Sequence, residues 1–266
     1  MTSRRNQRLH SATFVAVLLA TLTLKGRAAE GPPPAPSTDV IVQKLQAANA
    51  RRAEALRTYH GRRAYTLNYR GFPGSRSADM AVEATFTAPD KKDFDVVTQN
   101  GSKLLLNRVL LKLLDSEKEA LQGQNRQDTE LSPKNYDFIF LQMETTPQGA
   151  AYILQVTPRV NSKFLYKGKI WVDAADFAVQ RIEGEPAKNP SFWISRTRIE
   201  QRYAKFGEFW LPVHNQSVTH ARLGGDAVLS IDYTDYQING TKPAEGTRAA
   251  PMPSDAPASA SSENTH

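Results

Sequence analysis

From Lys163 to Ile238 apolar and polar positions alternate in short runs rich in aromatic and β-branched residues, cut at even intervals by turn formers. Asp173-Ala-Ala-Asp176, Lys205-Phe-Gly207 and Leu223-Gly-Gly-Asp226 are the clearest reversals. Each joins two runs too closely for a crossover helix, so neighbouring strands must be antiparallel. Earlier strands are predicted at Ala64–Tyr69, around Met80–Phe86, around Phe94–Thr98, at Tyr136–Glu144 and at Ala151–Thr157. In Met80, Val82, Ala84 and Phe86, as in Ala227, Leu229, Ile231 and Tyr233, one side is apolar and the other polar.

Two stretches follow a helical period instead. Val40, Ile41, Leu45, Ala48, Ala55 and Leu56 recur at helical spacing, with Thr38 or Asp39 as the expected cap and an end near Tyr59. Lys103 to Leu121 is a strong helix former. There Leu105, Leu106, Val109, Leu110, Leu113 and Leu114 share one broad face, while Leu104 and Leu111 fall among polar residues. Two readings stay open: a core helix with two stray leucines, or a lid whose apolar side faces a cavity. One dry and one wet face suit an antiparallel sheet covered on a single side. The expectation is a mostly β, α+β domain, one strongly curved antiparallel sheet wrapped around helices.

The ends of the chain differ in composition. Arg4, Arg5 and Arg8 precede an apolar run from Ala12 to Leu24, and Gly26-Arg27-Ala28 ends on small residues. Residues 1–28 therefore read as a cleaved secretory signal, and the run is shorter than the ~20 residues a membrane span needs. Residues 29–37 form a proline-stiffened linker, residues 38–240 the expected domain, and residues 241–266 a tail without apolar period, expected to be disordered. The formal charge of +7 owes +5 to the signal segment, leaving +2, too little for a nucleic-acid-binding face. With no cysteine, a secreted domain must rely on its core.

Tyr166-Lys-Gly-Lys-Ile-Trp-Val-Asp173 followed by Phe177-Ala-Val-Gln-Arg-Ile-Glu-Gly184 resembles the LolA/LolB-like superfamily of outer membrane lipoprotein-sorting proteins. That group also includes the amino-terminal domain of MucB/RseB regulators. Phe209-Trp-Leu-Pro212 and Leu229-Ser-Ile-Asp-Tyr-Thr-Asp-Tyr236 fit the same pattern. The resemblance implies an incomplete barrel of about eleven strands, helices over its open side and an apolar cavity between them. It implies a non-catalytic periplasmic carrier of lipid acyl chains or a lipidated protein, with a membrane protein as donor or acceptor. The alternative it implies is a sensor of envelope state. A ~16-carbon chain in water costs roughly 13 kcal/mol, so such a cargo needs shelter. Leu104, Leu105, Leu110, Leu111, Leu114 and Trp171 are the expected cavity and lid residues.

Little else points to chemistry. His214 and His220 share a strand face but lie ~20 Å apart, too far to share a metal. Glu183, Glu185 and Glu200, with Arg181, Arg196, Arg198 and Arg202, read as a solvated ladder of ion pairs. There is no phosphate-binding loop, nucleophile elbow or Cys-His pair. No cofactor or metal is expected. Trp171, Trp193 and Trp210 either line the cavity or pack in the core.

Overall fold

A computed structural model describes residues 36–189, 194–222 and 224–241. The proposed signal segment, most of the linker, nearly all of the tail and Trp193 lie outside the described residues. Ten strands form one antiparallel sheet: β1 (Thr58–Arg70), β2 (Arg76–Thr87), β3 (Lys91–Gly101), β4 (Tyr136–Thr146), β5 (Gly149–Pro158), β6 (Tyr166–Asp173), β7 (Val179–Pro186), β8 (Ile194–Phe206), β9 (Phe209–Ala221) and β10 (Asp226–Ile238). Their order is β3-β2-β1-β10-β9-β8-β7-β6-β5-β4, and the sheet is not closed. The expected architecture is thus found, with ten strands among the described residues in place of about eleven.

The two edge strands, β3 and β4, are consecutive in sequence. The chain between them forms α2 (Lys103–Leu105), a π turn (Leu106–Leu110), α3 (Leu111–Leu121) and α4 (Gly123–Asp128). This segment holds to both halves of the sheet. Arg126 donates to the Pro89 carbonyl between β2 and β3 at 2.9 Å, and Lys163, between β5 and β6, pairs with Glu119 at 2.9 Å. The sheet therefore curls toward its helices, and the helical segment bridges the gap that closure would have removed.

The first helix, α1 (Thr38–Ala55), differs from expectation at both ends. Its cap is Ser37, whose hydroxyl accepts from Val40 N–H at 3.4 Å. The Thr38 hydroxyl instead accepts from the Phe140 N–H at 3.2 Å, so the helix starts against edge strand β4. The helix stops at Ala55 because Tyr59 is already paired with Ile238 in β1, which begins six residues before the predicted Ala64. Tertiary pairing overrides the helical spacing there. Arg52 fastens the helix end to the β6–β7 turn, donating to the carbonyls of Asp176 (3.1 Å) and Phe177 (2.9 Å).

Register places one row of side chains across the helix-facing side of β4 to β10, β1 and β2: Phe140, Leu154, Ile170, Ile182, Gln201, Asn215, Ile231, Tyr65 and Met80. α1 covers one end, where Ile41, Val42 and Leu45 meet Leu154, Ile170, Val172 and Ile182. The leucine-rich segment covers the other, where Leu105, Leu106, Leu110 and Leu114 meet Tyr65, Leu67, Met80, Val82, Leu229 and Ile231. A third cluster of Phe209, Leu211, Tyr236 and Ile238 seals the β8–β9 hairpin end against Ala55 and Leu56.

The turns follow the side-chain chemistry read from the sequence. The Asp173 carboxylate accepts from the Ala175 and Asp176 amides at 3.0 and 2.6 Å and from Gln180 Nε2 at 2.8 Å, building the β6–β7 reversal. Between β8 and β9, Gly207 adopts φ +62°, which favours glycine.

Candidate functional site

The leucine-rich segment is not the uniform helix the spacing predicts. The π turn at Leu106–Leu110 adds residues to one turn and rotates everything after it. Leu105, Leu106, Leu110 and Leu114 are buried in one apolar cluster, Leu110 fully. Leu111, expected on the polar side, is half-buried against that cluster, while Leu113, expected on the apolar face, is exposed. Leu104 is 54% exposed. The phase change supplies the physical reason for both departures.

Trp171 does not join these leucines. In β6 the alternation turns Ile170 and Val172 toward α1, so Trp171 points to the opposite face. There it is buried with Ala151 and Ile153, donates from Nε1 to Glu144 at 3.2 Å and lies 4.9 Å beneath the Arg181 guanidinium. Its neighbours Ile170 and Val172 carried that signal in the sequence. Trp210 likewise has a structural tie, its Nε1 donating to Asp176 at 3.0 Å.

The sequence reading missed the polar centre beside the leucines. Arg63, on the helix-facing side of β1, is only 5% exposed. Its guanidinium makes a two-pronged contact with Glu117 of α3, at 2.7 and 3.1 Å, and donates to the Tyr65 hydroxyl at 3.3 Å. Lys92 of β3 also pairs with Glu117, and the Phe94 and Tyr233 rings flank Arg63 at 5.1 and 5.0 Å. Burial opposes ionisation of Glu117, but the charge of Lys92 and the charge and hydrogen bonds of Arg63 outweigh it and hold the carboxyl down at about 2. Burial pushes the Tyr65 and Tyr233 hydroxyls up. This ion triad is the polar fastening between α3 and the sheet. A charged residue in step with Tyr65 and Leu67 does demand a partner, and that much the alternation showed. Which residue answers it, 54 positions away, no local pattern could say.

Between its two covered ends the helix-facing side turns polar. Gln201 and Asn215 sit opposite each other at mid-row, next to Ile199 opposite Ser217 and a Thr197–Thr219 hydroxyl contact of 3.1 Å. The apolar surface is therefore split into two compartments rather than spread over one floor.

Two clefts lie elsewhere. One of ≈320 Å³ at the start of α1 is lined by Thr38, Val42, Tyr136, Phe138 and Arg159. Another of ≈490 Å³ spans β5 to β8 and is lined by residues that include Gln155, Lys169, Glu183, Arg198 and Glu200. No residue of the leucine-rich segment lines either of them.

The remaining charged candidates behave as a surface ladder. Arg181 pairs with Glu183 and, at 3.3 Å, with Glu200, which also accepts from Arg202 at 2.6 Å. His214 and His220 each face an aspartate, Asp232 at 2.7 Å and Asp226 at 2.5 Å. No group of three or more potential metal ligands occurs among the described residues. No helix among them is long and apolar enough to cross a membrane.

No family model matches the chain, and no curated protein matches it. Solved structures do. A Vibrio parahaemolyticus domain named for outer membrane lipoprotein sorting is 12% identical, with 74% of this chain and 92% of that chain covered and a TM-score of 0.42. A LolA superfamily protein from Nitrosomonas europaea is 14% identical, with 76% and 94% covered and a TM-score of 0.30. The Pseudomonas aeruginosa MucA/MucB complex gives 12% identity, 74% and 95% coverage and a TM-score of 0.25. At such identities and TM-scores nothing about function is carried over from them.

Proposed function

We propose that this protein is a non-catalytic binding protein that shelters hydrocarbon, a lipid acyl chain or the acyl chain of a lipidated protein, beneath the leucine-rich segment. The observation that carries this reading is the pairing of Leu105, Leu106, Leu110 and Leu114 with the apolar side chains of β1, β2 and β10 on a segment held by a few polar ties, the Arg63–Glu117–Lys92 triad, Lys163–Glu119 and Arg126 to Pro89. In this state the leucines themselves fill the compartment, with Leu110 wholly out of water. Lifting the segment would expose apolar surface on both sides, at about 25 cal/mol per Å². An acyl chain lying between the lifted leucines and the sheet covers both surfaces and so recovers that loss. The polar strip at Gln201 and Asn215 confines the chain to the β10–β1–β2 half of the sheet. The basic, apolar leader makes the periplasm the expected compartment.

The test is extraction of the purified protein with organic solvent, mass spectrometry of the extract, and titration with a fluorescent fatty acid. Acyl material should co-purify, and the probe should be displaced by unlabelled fatty acid. Replacing Leu106 and Leu114 by aspartate in a variant whose circular dichroism is unchanged should abolish uptake. Absence of acyl material together with absence of probe binding would end this reading.

A further inference from the structure

Three connections meet at one corner of the sheet. The β1–β2 and β9–β10 turns touch, since a Cβ on Gly71 would stand 2.5 Å from the Cα of Gly225. The end of β3 and the start of the leucine-rich segment lie beside the start of β2, where the Ser102 N–H donates to the Ser77 carbonyl at 2.8 Å. The stretches of sequence that run through this corner, 70–78, 99–108 and 217–225, contain no aspartate or glutamate. They do contain Arg70, Arg76, Lys103, Arg108 and Arg222, all exposed. Arg70, Arg76, Lys103 and Arg108 have no carboxylate partner among the described residues. The nearest carboxylates are Asp226, opposite Arg70 and held by His220 at 2.5 Å, and the exposed Asp79. The corner is therefore net positive.

Two apolar side chains stand out of the same corner. Phe72, in the β1–β2 turn, is 84% exposed, more than any other large apolar side chain among the described residues, and Leu104 is 54% exposed. The turn that carries Phe72 is fastened. The Tyr69 hydroxyl donates to the Phe72 carbonyl at 2.7 Å, and the Gly74 N–H donates to the Gly71 carbonyl at 2.6 Å. Neither residue lines either cleft described above. One exposed apolar side chain is ordinary. A ring held out on a fixed turn, among cations and with no acid in the same stretch, matches a surface that is anionic outside and apolar beneath.

We propose that this corner docks the protein on a bilayer containing anionic phospholipid. Phe72 and Leu104 enter the boundary between headgroups and acyl chains, while Arg70, Arg76 and Lys103 meet the lipid phosphates. The docking is independent of the acyl-chain reading. Uptake of hydrocarbon beneath the leucine-rich segment depends on neither lipid charge nor Phe72, so either reading can fail without the other.

The test is co-flotation of the full chain with vesicles of phosphatidylcholine alone or with about a quarter phosphatidylglycerol, at rising salt. The protein should float with the anionic vesicles only, and less so as salt rises. Affinity should fall about fivefold for each of Arg70→Gln, Arg76→Gln and Lys103→Gln. It should fall about tenfold or more for Phe72→Ser, with the melting midpoint unchanged because the ring is already in water. Lys169→Gln, an exposed cation on β6, should leave flotation unchanged. In Phe72→Trp the indole emission should shift to the blue on anionic vesicles. Equal flotation with phosphatidylcholine alone, full affinity in Phe72→Ser, or a bound Phe72→Trp whose emission does not shift would each overturn the proposal. So would the absence of flotation alongside binding of a glutamate-rich peptide, which would make this corner a protein-docking surface.

Discussion

Replacing Glu117 with glutamine isolates the fastening of the helical segment, because shape is kept and only charge is lost. In the native protein the carboxylate answers two cations, Arg63 at 5% and Lys92 at 10% side-chain exposure. Removing one partner from a fully buried ion pair costs about 3–5 kcal/mol, mostly because the other charge is stranded. Glu117 is itself 35% exposed, so water screens the triad and the expected loss is about 1–2 kcal/mol. For a domain of this size that lowers the melting midpoint by about 2–8 °C. If the loss is confined to the segment, its amides should exchange about 5- to 30-fold faster while those of β5 and β6 do not change. The pH dependence gives a second signature. The folded-state pKa of Glu117 is depressed, to about 2 from 4.5. Its contribution is therefore fully present above pH 4.5 and is lost as the pH falls toward 2. Wild type and Glu117→Gln should differ most at neutral pH and converge across that acid window. The assay is thermal unfolding between pH 2 and pH 7 with hydrogen exchange at pH 7, and Glu119→Gln as a control for a surface pair. A midpoint within 1 °C of wild type at pH 7, with unchanged exchange in residues 106–121, would refute the fastening role.

Three further outcomes are expected. Leu110→Ala should cost about 2–5 kcal/mol in urea unfolding, because the side chain is fully buried, whereas Leu104→Ser should stay within about 0.5 kcal/mol. Gly168→Ala should destabilise by about 1–3 kcal/mol or more, since its new Cβ would sit 2.0 Å from the Glu183 carbonyl oxygen and force β6 and β7 apart. Trp171→Ala should cost about 3–5 kcal/mol yet leave the affinity for a fluorescent fatty acid unchanged, because the ring packs on the face opposite the helices; a loss of affinity with retained stability would place it in the site after all.

Alternation alone told which residues face the helices in β2 and β10, because Met80, Val82 and Ala84, like Leu229 and Ile231, obey a period of two that needs no partner to be read. Short turns told that the strands are antiparallel, since a reversal such as Asp173–Asp176 leaves no room for a crossover. The same logic, applied to Ile170 and Val172, would have turned Trp171 outward.

The helical stretches were legible as helices but not in their phase or their ends. A π turn depends on how Leu106 and Leu110 fit beneath the sheet, and α1 ends where Tyr59 finds Ile238, 179 positions on. Composition and spacing along the chain fix local conformation, because propensity and turn chemistry act over a few residues. The Arg63–Glu117–Lys92 triad and the polar break at Gln201 and Asn215 were decided only in three dimensions. Each depends on groups that register and curvature bring together from distant strands, and a buried charge shows that it needs a partner without showing which.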